Sequence, residues 1–320
     1  MDYRKLGRTG LDISEISFGA VEIGLAYGIP VDGKVEKPSE KEAHDLLHTA
    51  LDMGINFVDT ARAYGESEEI IGRALKGRRD EYILATKSNH FSDRGLSVKE
   101  LQDAIRESLE TSLRMLQTDV IDVFQIHNIT KDVVERGDVL QVVQDAQKAG
   151  KIRFTGGTVY GVDDPLAVVE DGSWDVIQVA YNMLDRRLES KVLPLAAAKG
   201  VAVTVRSVLL KGALTPRYAS LPADSLLELK TAAAKLDEIA QRECDSLAEA
   251  AFRYVLANPN VSSALVGTGK LRNLRRSAEY ASKGALSNEL LESIRTVQIA
   301  DTNQLNPGTW VIQENYGNKR

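Results

Sequence analysis

Four side chains with acid–base or charge chemistry stand just after apolar runs of the sequence. Asp59 and Tyr64 lie in Asp-Thr-Ala-Arg-Ala-Tyr-Gly, Lys87 lies in Ala-Thr-Lys-Ser-Asn, and His127 lies in Gln-Ile-His-Asn. Short apolar runs predict buried strands, and side chains at the ends of successive strands meet only when those strands lie side by side and parallel. A parallel barrel carries its chemistry at the carboxyl ends of its strands, so this pattern predicts an active site. The runs cover residues 57–58, 82–85 and 120–124.

A phenol, an ammonium, a carboxylate and an imidazole together suit the reduction of a carbonyl group by hydride. Negative charge then builds on the carbonyl oxygen, and a positioned acid must supply a proton. Tyr64 can be that acid, because an ammonium such as Lys87 favours the phenolate and lowers a pKa that is otherwise about 10. Asp59 would pair with Lys87 and hold it in place, and His127 would donate a hydrogen bond to the substrate oxygen.

Each of the four residues also has an explanation that involves no chemistry. An aspartate at a strand end is often a helix cap, a lysine in a strand is often solvated, and a lone histidine or tyrosine often only packs. A chemical alternative is an aldolase that uses Lys87 as a Schiff base. That reaction needs a deprotonated lysine, which a carboxylate at Asp59 opposes. Because all four residues follow consecutive strand units, the sequence favours the active site.

The segments that position these residues alternate regularly between strands and helices. Residues 3–15 predict a hairpin that turns at residues 7–10, and capping boxes at Ser39–Glu42 and Ser97–Glu100 predict the starts of two helices. Further strands are predicted at 16–20, 55–58, 82–85, 120–126, 152–155, 175–180, 201–206 and 263–266. Further helices are predicted at 67–75, 135–149, 163–170, 189–199, 223–241, 245–257, 271–283 and 287–298.

About eight strand–helix units predict an α/β fold in one domain over residues 1–320. The predicted architecture is a (β/α)8 TIM barrel with an N-terminal β-hairpin, and with a C-terminal tail from residue 301 over the barrel mouth. An open, doubly wound sheet is the alternative, but no Gly-x-Gly-x-x-Gly turn follows the first strand. Trp310 and Tyr316 stand in the predicted tail.

Composition argues against several classes of partner. The 320-residue chain has a net charge of −6 and a pI near 5.5, which disfavours nucleic acid and membrane surfaces. The single cysteine, Cys244, suits a reducing compartment, and the first residues have no apolar signal core, so we expect a cytoplasmic protein. No metal site is expected, because the histidines lack a plausible ligand set. They are His44, His48, His90 and His127.

The motifs also resemble one family. Asp-Thr-Ala-x-x-Tyr-Gly, the Thr-Lys strand end and the spacing from Asp122 to His127 are similar to those of the aldo-keto reductases, over nearly the whole chain. Within this family, the sequence, including residues 24–28, most resembles the L-galactose-type aldose dehydrogenases and the general aldehyde reductases. The resemblance implies an eight-stranded barrel, NAD(P)-dependent reduction of a small aldehyde, ketone or sugar, and Tyr64 as the acid/base. A non-catalytic, nucleotide-binding regulatory subunit on the same fold is the alternative.

The resemblance also implies a cofactor site. It places Thr158 and Gln178 at the nicotinamide carboxamide, and Arg206 at the position that stacks on the ring, although Arg206 at a strand end also suits a solvated side chain. The pyrophosphate would lie along the loop from residue 207 to 214 and at the helix start after Gly267, where free amides suit phosphate. The full set of expected contacts is Gly19, Ala20, Asp59, Thr158, Gln178, Arg206, Ser207, Leu209, Gly212, Gly267, Thr268, Gly269, Lys270 and Arg276.

Basic residues cluster after the second predicted phosphate loop, in a chain that is acidic overall. They suit a clamp for the adenosine 2′-phosphate, which predicts NADP(H) as the preferred cofactor, with NAD(H) as the second choice. A solvated helix face is the alternative explanation of this cluster. Two positions depart from the family pattern, with Asn273 where arginine or glutamine is usual and Ser277 where asparagine is common. The basic residues are Lys270, Arg272, Arg275 and Arg276.

Overall fold

A computed structural model describes residues 1–30, 35–91 and 95–310 of the chain. Within those ranges the strands are β1 (Tyr3–Lys5), β2 (Asp12–Ser14), β3 (Ile16–Gly19), β4 (Phe57–Asp59), β5 (Ile83–Lys87), β6 (Ile121–Ile126), β7 (Ile152–Thr158), β8 (Val176–Ala180), β9 (Ala202–Arg206) and β10 (Ser263–Gly267). The helices are α1 (Val21–Gly24), α2 (Glu40–Asp52), α3 (Ser67–Ala74), α4 (Val98–Leu116), α5 (Lys131–Arg136), α6 (Asp138–Lys148), α7 (Asp163–Asp171), α8 (Val192–Ala198), α9 (Leu227–Ala240), α10 (Leu247–Leu256), α11 (Leu271–Ser282) and α12 (Asn288–Arg295).

The strands β3 to β10 pair in parallel and close into a barrel in the order β10, β3, β4, β5, β6, β7, β8, β9. This confirms the predicted (β/α)8 barrel and excludes the open sheet. The register aligns the carboxyl ends of the strands, because Gly19 pairs with both Asp59 and Gly267. Lys87 pairs with Gln125 in the same way. The predicted active-site residues therefore lie at one end of the barrel.

The N-terminal hairpin of β1 and β2 closes the opposite end of the barrel. Leu6 and Ile13 are fully buried, and they belong to one apolar cluster with Phe57, Val176 and Ala202, the first residues of β4, β8 and β9. Fully burying a leucine or isoleucine stabilises the fold by about 1.5–3 kcal/mol. The predicted hairpin is confirmed, and it seals the amino-terminal end of the barrel away from the site.

Both predicted capping boxes are present. The Ser39 hydroxyl accepts from the Glu42 amide, and the Glu42 carboxylate accepts from the Ser39 amide, at the start of α2. Ser97 and Glu100 make the same pair at the start of α4. Each cap satisfies amides that the first helical turn leaves unbonded and contributes about 1 kcal/mol.

The structure differs from the sequence prediction in a few segments. The single helix predicted at 135–149 is two helices, α5 and α6, because Gly137 has a φ of +71° and interrupts the helical path. The short helix α1, directly after β3, was not predicted. No helix in the described ranges is both long enough and apolar enough to cross a membrane.

The described part of the tail, residues 301–310, packs against α9. The Gln304 side-chain oxygen accepts from the Leu229 amide at 3.0 Å, and the indole of Trp310 donates to the Gln304 carbonyl at 3.0 Å. The predicted cover of the barrel mouth also involved Tyr316, which lies outside the described residues. Trp310 itself packs half-buried against the main apolar core.

Candidate active site

A buried ion pair lies at the centre of the site. The Lys87 ammonium, at the end of β5, donates to Asp59 Oδ2 at 2.6 Å and to the Thr60 carbonyl at 2.9 Å. Neither Lys87 nor Asp59 has more than 1% of its surface exposed. Burial alone would lower the pKa of Lys87, but the charges of Asp59 and Tyr64 outweigh it and raise that pKa above its usual value. Lys87 is therefore a fixed ammonium at neutral pH.

Tyr64 lies over this pair. Tyr64 belongs to the loop that follows β4, and the centre of its ring is 4.8 Å from the Lys87 ammonium. The loop is tightly held, because a Cβ at Gly24 would stand 1.8 Å from the Tyr64 carbonyl oxygen. Burial raises the pKa of Tyr64, while Lys87 lowers it. Lys87 thus acts in the expected direction, but burial outweighs it, so the net shift is upward and Tyr64 carries its proton at neutral pH.

His127, just beyond β6, completes the group of four. Its ring stands perpendicular to that of Tyr64, with 6.2 Å between the ring centres. His90 covers the other side, stacked at 3.6 Å with a tilt of 30°. Burial, together with the charges of Lys87 and His90, lowers the pKa of His127 to about 2. The four residues predicted from the strand ends are therefore brought together at one end of the barrel.

The hydrogen bond of His127 bears on its predicted role as a donor. Nδ1 lies 3.3 Å from the Ser88 carbonyl oxygen, which can only accept, so this contact favours a hydrogen on Nδ1. A neutral ring of that tautomer presents Nε2 as an acceptor. Donation from Nε2 to a substrate oxygen requires the other tautomer and gives up the long contact to Ser88.

We expect His127 to stay neutral between about pH 5 and pH 8, unlike an exposed histidine. Its pKa falls from 6.5 in an unfolded chain to about 2 in the fold. The unfolded state therefore takes up a proton first, and this site destabilises the fold as the pH drops below about 6.5. Ring-nitrogen NMR across this range will follow the charge and identify the tautomer. A titration midpoint near pH 6.5 would contradict the burial argument.

Two glutamines, neither of which was predicted to contact Asp59, hold its carboxylate. Gln125 Nε2 donates to Asp59 Oδ1 at 3.0 Å, and Gln178 Nε2 donates to the same oxygen at 2.8 Å. Gln178 was expected at a nicotinamide carboxamide, and its side chain contacts Asp59 here. Gln125 was missed. The sequence could have indicated it, because Gln125 stands two residues before His127, and alternate residues of a strand face the same side.

Thr158 lies beside Gln178 in the barrel register. Its hydroxyl accepts from the Asn128 amide at 2.8 Å and donates to the Asn128 side chain at 3.3 Å. Asn128 has a φ of +61°, a left-handed conformation that asparagine tolerates better than most residues. Thr158 thus fixes the turn that follows His127, at the place where the carboxamide contact was predicted.

Arg206, at the end of β9, is half-buried rather than freely solvated. Its guanidinium lies 4.2 Å from the centre of the Tyr160 ring. Nε and Nη2 are buried, and neither has a hydrogen-bond partner among the described residues. Burying donors without partners is costly. A bound group with acceptor atoms on this side would remove that cost, so Arg206 fits the edge of a polar ligand site.

The expected phosphate loops border the same end of the barrel. Gly19 pairs with Gly267, which brings the β3 and β10 ends together. Ser207 and Gly212 have φ of +60° and +107°, so the loop after β9 folds back tightly. Within the second loop, Thr268 Oγ1 accepts from the Lys270 amide at 3.1 Å. The other predicted loop residues, Ala20, Leu209 and Gly269, belong to these same segments.

Glu22, on α1, is a second residue that the sequence reasoning missed. Its carboxylate accepts from the Gly269 amide at 2.8 Å. Burial raises the pKa of Glu22, while Arg217 and Lys270 lower it. An acidic side chain therefore already bonds one amide of the second predicted phosphate loop. Its only sequence signal was an acidic residue three positions beyond the Gly19 strand end.

The basic cluster lies on the outer face of α11 and at its start. Lys270, Arg272, Arg275 and Arg276 are all exposed. The two departures from the family pattern have structural roles. The Asn273 amide donates to Thr268 Oγ1 at 3.3 Å, and the Ser277 hydroxyl donates to the Asn273 carbonyl at 3.0 Å. These contacts stabilise the loop and the helix themselves.

Comparison with known proteins identifies the family. Residues 15–299 match the aldo/keto reductase family, so the chain belongs to this family of oxidoreductases, and the resemblance seen in the motifs is confirmed. L-galactose dehydrogenase of Arabidopsis thaliana is 30% identical, over 93% of this chain and 94% of that protein. A probable voltage-gated potassium channel subunit beta of Oryza sativa is 32% identical, over 84% and 88%. Aldo-keto reductase AKR11C1 from Bacillus halodurans, in its holo form, superposes with a TM-score of 0.77 at 28% identity, over 94% of this chain and 97% of that one.

Proposed function

We propose that this protein transfers hydride between a nicotinamide cofactor and a small carbonyl compound or its alcohol, with Tyr64 as the general acid/base. The observation that carries this proposal is the buried Asp59–Lys87 pair beneath the Tyr64 ring, with His127 perpendicular beside it. A fixed ammonium favours the phenolate, so Tyr64 can give up its proton to an oxygen that gains charge and take it back in the reverse direction.

Each supporting residue has a defined part in this proton transfer. Lys87 supplies the positive charge, and Asp59 holds Lys87 in place. His127 is neutral, and in the tautomer with its hydrogen on Nε2 it can donate to the substrate oxygen, giving up its contact to the Ser88 carbonyl. Bound nicotinamide supplies or accepts the hydride. Arg206 with its unpartnered donors, Gln178 and Thr158 are the residues that would hold the nicotinamide end.

NADP(H) is the cofactor that the exposed charges favour. Lys270 and Arg276 are exposed at the start and on the outer face of α11, where a 2′-phosphate gains from each cation. Glu22 acts in the opposite direction, because its carboxylate bonds the Gly269 amide and repels a phosphate there. The basic residues of the cluster outnumber this one carboxylate, so the balance of charge favours NADPH over NADH.

An aldehyde, ketone or aldose is the substrate class we propose. The mouth of the site carries exposed apolar surface at Leu25, Tyr27 and Tyr160, which suits the body of a small organic substrate. The Lys211 ammonium lies 5.4 Å from the Tyr27 ring centre and adds a cation to the rim. The relative named L-galactose dehydrogenase supports an aldose as the first substrate to try.

A regulatory subunit is the second candidate function. It is favoured by the relative whose name describes a probable potassium channel subunit beta. The presence of Tyr64, Lys87, Asp59 and His127 in one contact group argues for an enzyme, since a subunit that only binds nucleotide has no need of a buried ion pair. Turnover decides between the two candidates.

The deciding experiment follows cofactor absorbance with NADPH and NADH in parallel. Aldehydes and ketones are supplied in one direction, and aldoses and alcohols in the other. We expect turnover, with one cofactor clearly preferred. Tight cofactor binding without turnover of any compound would favour the regulatory subunit. Equal kcat/KM for NADPH and NADH would end the proposed NADP(H) preference but leave the oxidoreductase proposal intact.

We expect Lys270→Met and Arg276→Met each to raise KM for NADPH by about tenfold, because each removes a charge-assisted contact to a phosphate. KM for NADH should change by less than about twofold, since NADH lacks that phosphate. Arg106→Met is the matched control, because Arg106 is an exposed arginine on α4, far along the chain from this cluster. If KM for both cofactors rises equally, the cluster does not recognise the 2′-phosphate.

A further inference from the structure

Both oxygens of Asp59 are fully engaged by side chains of the barrel interior. Lys87 occupies Oδ2, and the two glutamine amides share Oδ1. Gln125 and Gln178 are each only 1% exposed. Two amide donors on one carboxylate oxygen form a clamp, because the carboxylate cannot rotate without losing both bonds. We use the term glutamine clamp for Gln125 and Gln178 together.

The barrel makes room for Gln125. β6 turns Val123 and Gln125 inward, and the register places Gly156 of β7 opposite Gln125. A Cβ at Gly156 would stand 2.9 Å from Gln125 Cγ and 3.1 Å from the Val176 carbonyl oxygen. Any side chain there would push Gln125 away from Asp59. The gap left by a glycine is therefore what lets the Gln125 side chain reach across the barrel.

Gln125 brings a cost that an apolar residue would avoid. Its Oε1 is buried and has no hydrogen-bond partner among the described residues. A buried acceptor without a partner is unfavourable, whereas a methionine of similar length would fill the same space. The benefit that offsets this cost is the bond from Nε2 to Asp59. The presence of a glutamine at this buried position is therefore best explained by the hydrogen bond that its Nε2 donates to Asp59.

The two members of the clamp differ in what else they do. The proposed function gives Gln178 a second task at the nicotinamide, whereas the Gln125 side chain, within the described residues, hydrogen-bonds Asp59 alone. We propose that Gln125 is a positioning residue, which holds Asp59 on Lys87 and thereby sets the proton affinity of Tyr64. This inference rests on the proposed function for its kinetic consequence and on the contacts above for its geometry.

The direction of the effect follows from charge. The Gln125 amide points its positive end at Asp59 and offsets part of the carboxylate's negative charge. Without that amide, Tyr64 experiences more negative charge and a less firmly held ammonium, and both make the phenolate harder to form. A hydrogen bond to a charged group is strong enough to move a titration by about one pH unit.

Gln125→Met tests the inference with two readouts. In alcohol oxidation, the rise of kcat/KM with pH should move upward by about one pH unit, with a loss of about tenfold at neutral pH. In the cofactor-free protein, NMR of ¹³C-labelled tyrosine should show a smaller phenolate fraction of Tyr64 than in the wild type at the same alkaline pH. The Tyr64 signal is assigned by its absence from Tyr64→Phe.

Gln102→Met is the matched control, since it makes the same change on α4, where the Gln102 side chain donates to the Asp138 carbonyl. It should move neither readout. If Gln125→Met does not fold, Gln125→Asn, which stays polar but falls short of Asp59, should give the same shifts. A folded Gln125 variant with an unmoved pH profile and unmoved Tyr64 titration overturns the inference. A wild type without turnover refutes the proposed function instead, and the NMR titration still tests the clamp.

Discussion

We expect Tyr64→Phe to lower kcat by about 10²-fold or more in both directions, because it removes the hydroxyl of the ring that lies over the Lys87 ammonium, the proposed proton donor. KM for the cofactor should stay within about twofold, since the ring itself is retained. Cofactor turnover at saturating substrate measures the first effect, and cofactor titration measures the second.

Two observations guard the interpretation of this variant. Thermal unfolding should be nearly unchanged, because phenylalanine keeps the packing of the ring. Tyr3→Phe removes a hydroxyl that bonds the Gly54 carbonyl in the hairpin region, and it should leave kcat unchanged. If Tyr64→Phe turns over like the wild type, another group supplies the proton and the proposed mechanism is wrong.

The sequence predicts the barrel and its reactive end because both depend on local patterns. Apolar runs define β4, β5 and β6. Because these strands are parallel, Asp59 and Lys87, which stand at strand ends, must lie at the same end of the barrel. A capping box depends on two residues three positions apart, so the start of α2 at Ser39 could be predicted from the sequence. The features that could be predicted are the strands, helix starts and strand-end residues that a few neighbouring residues determine.

The contacts that refine the site depend on distances across the barrel. Gln125 lies within a strand that looks like any other buried run, and only the register opposite Gly156 turns it toward Asp59. Glu22 likewise meets Gly269 across 247 positions of sequence. The direction in which the pKa of Tyr64 shifts also could not be predicted from the sequence. Burial raises this pKa and the Lys87 charge lowers it, and the extent of burial is known only from the folded structure.

The largest effect on stability should come from Lys87→Met. Methionine fills the space of the lysine stem but leaves the Asp59 carboxylate buried without its cation, which costs about 3–5 kcal/mol of unfolding free energy. Activity should fall by at least about 10²-fold, because Tyr64 loses the charge that favours its phenolate. Chemical denaturation of the variant beside the wild type measures the first quantity, and cofactor turnover measures the second.

The pH dependence of this loss has a definite sign. The fold raises the pKa of Lys87 from 10.5. The stabilisation by the ammonium is therefore fully present below about pH 10.5 and is lost only as the pH rises through the higher folded value. The difference between wild type and Lys87→Met should stay constant between about pH 7 and pH 9. A difference that shrinks across this range would show that Lys87 is not held as an ammonium.

A second substitution separates the loss of the pair from the loss of a charge. Asp59→Asn in the Lys87→Met background removes the unpaired carboxylate but keeps an oxygen that can accept from Gln125 and Gln178. Most of the lost stability should return, because no buried charge is left without a partner. Activity should not return, since the ammonium is still absent. If stability stays low, the cost of Lys87→Met lies in packing; if activity recovers, Tyr64 does not depend on Lys87 for its proton transfer.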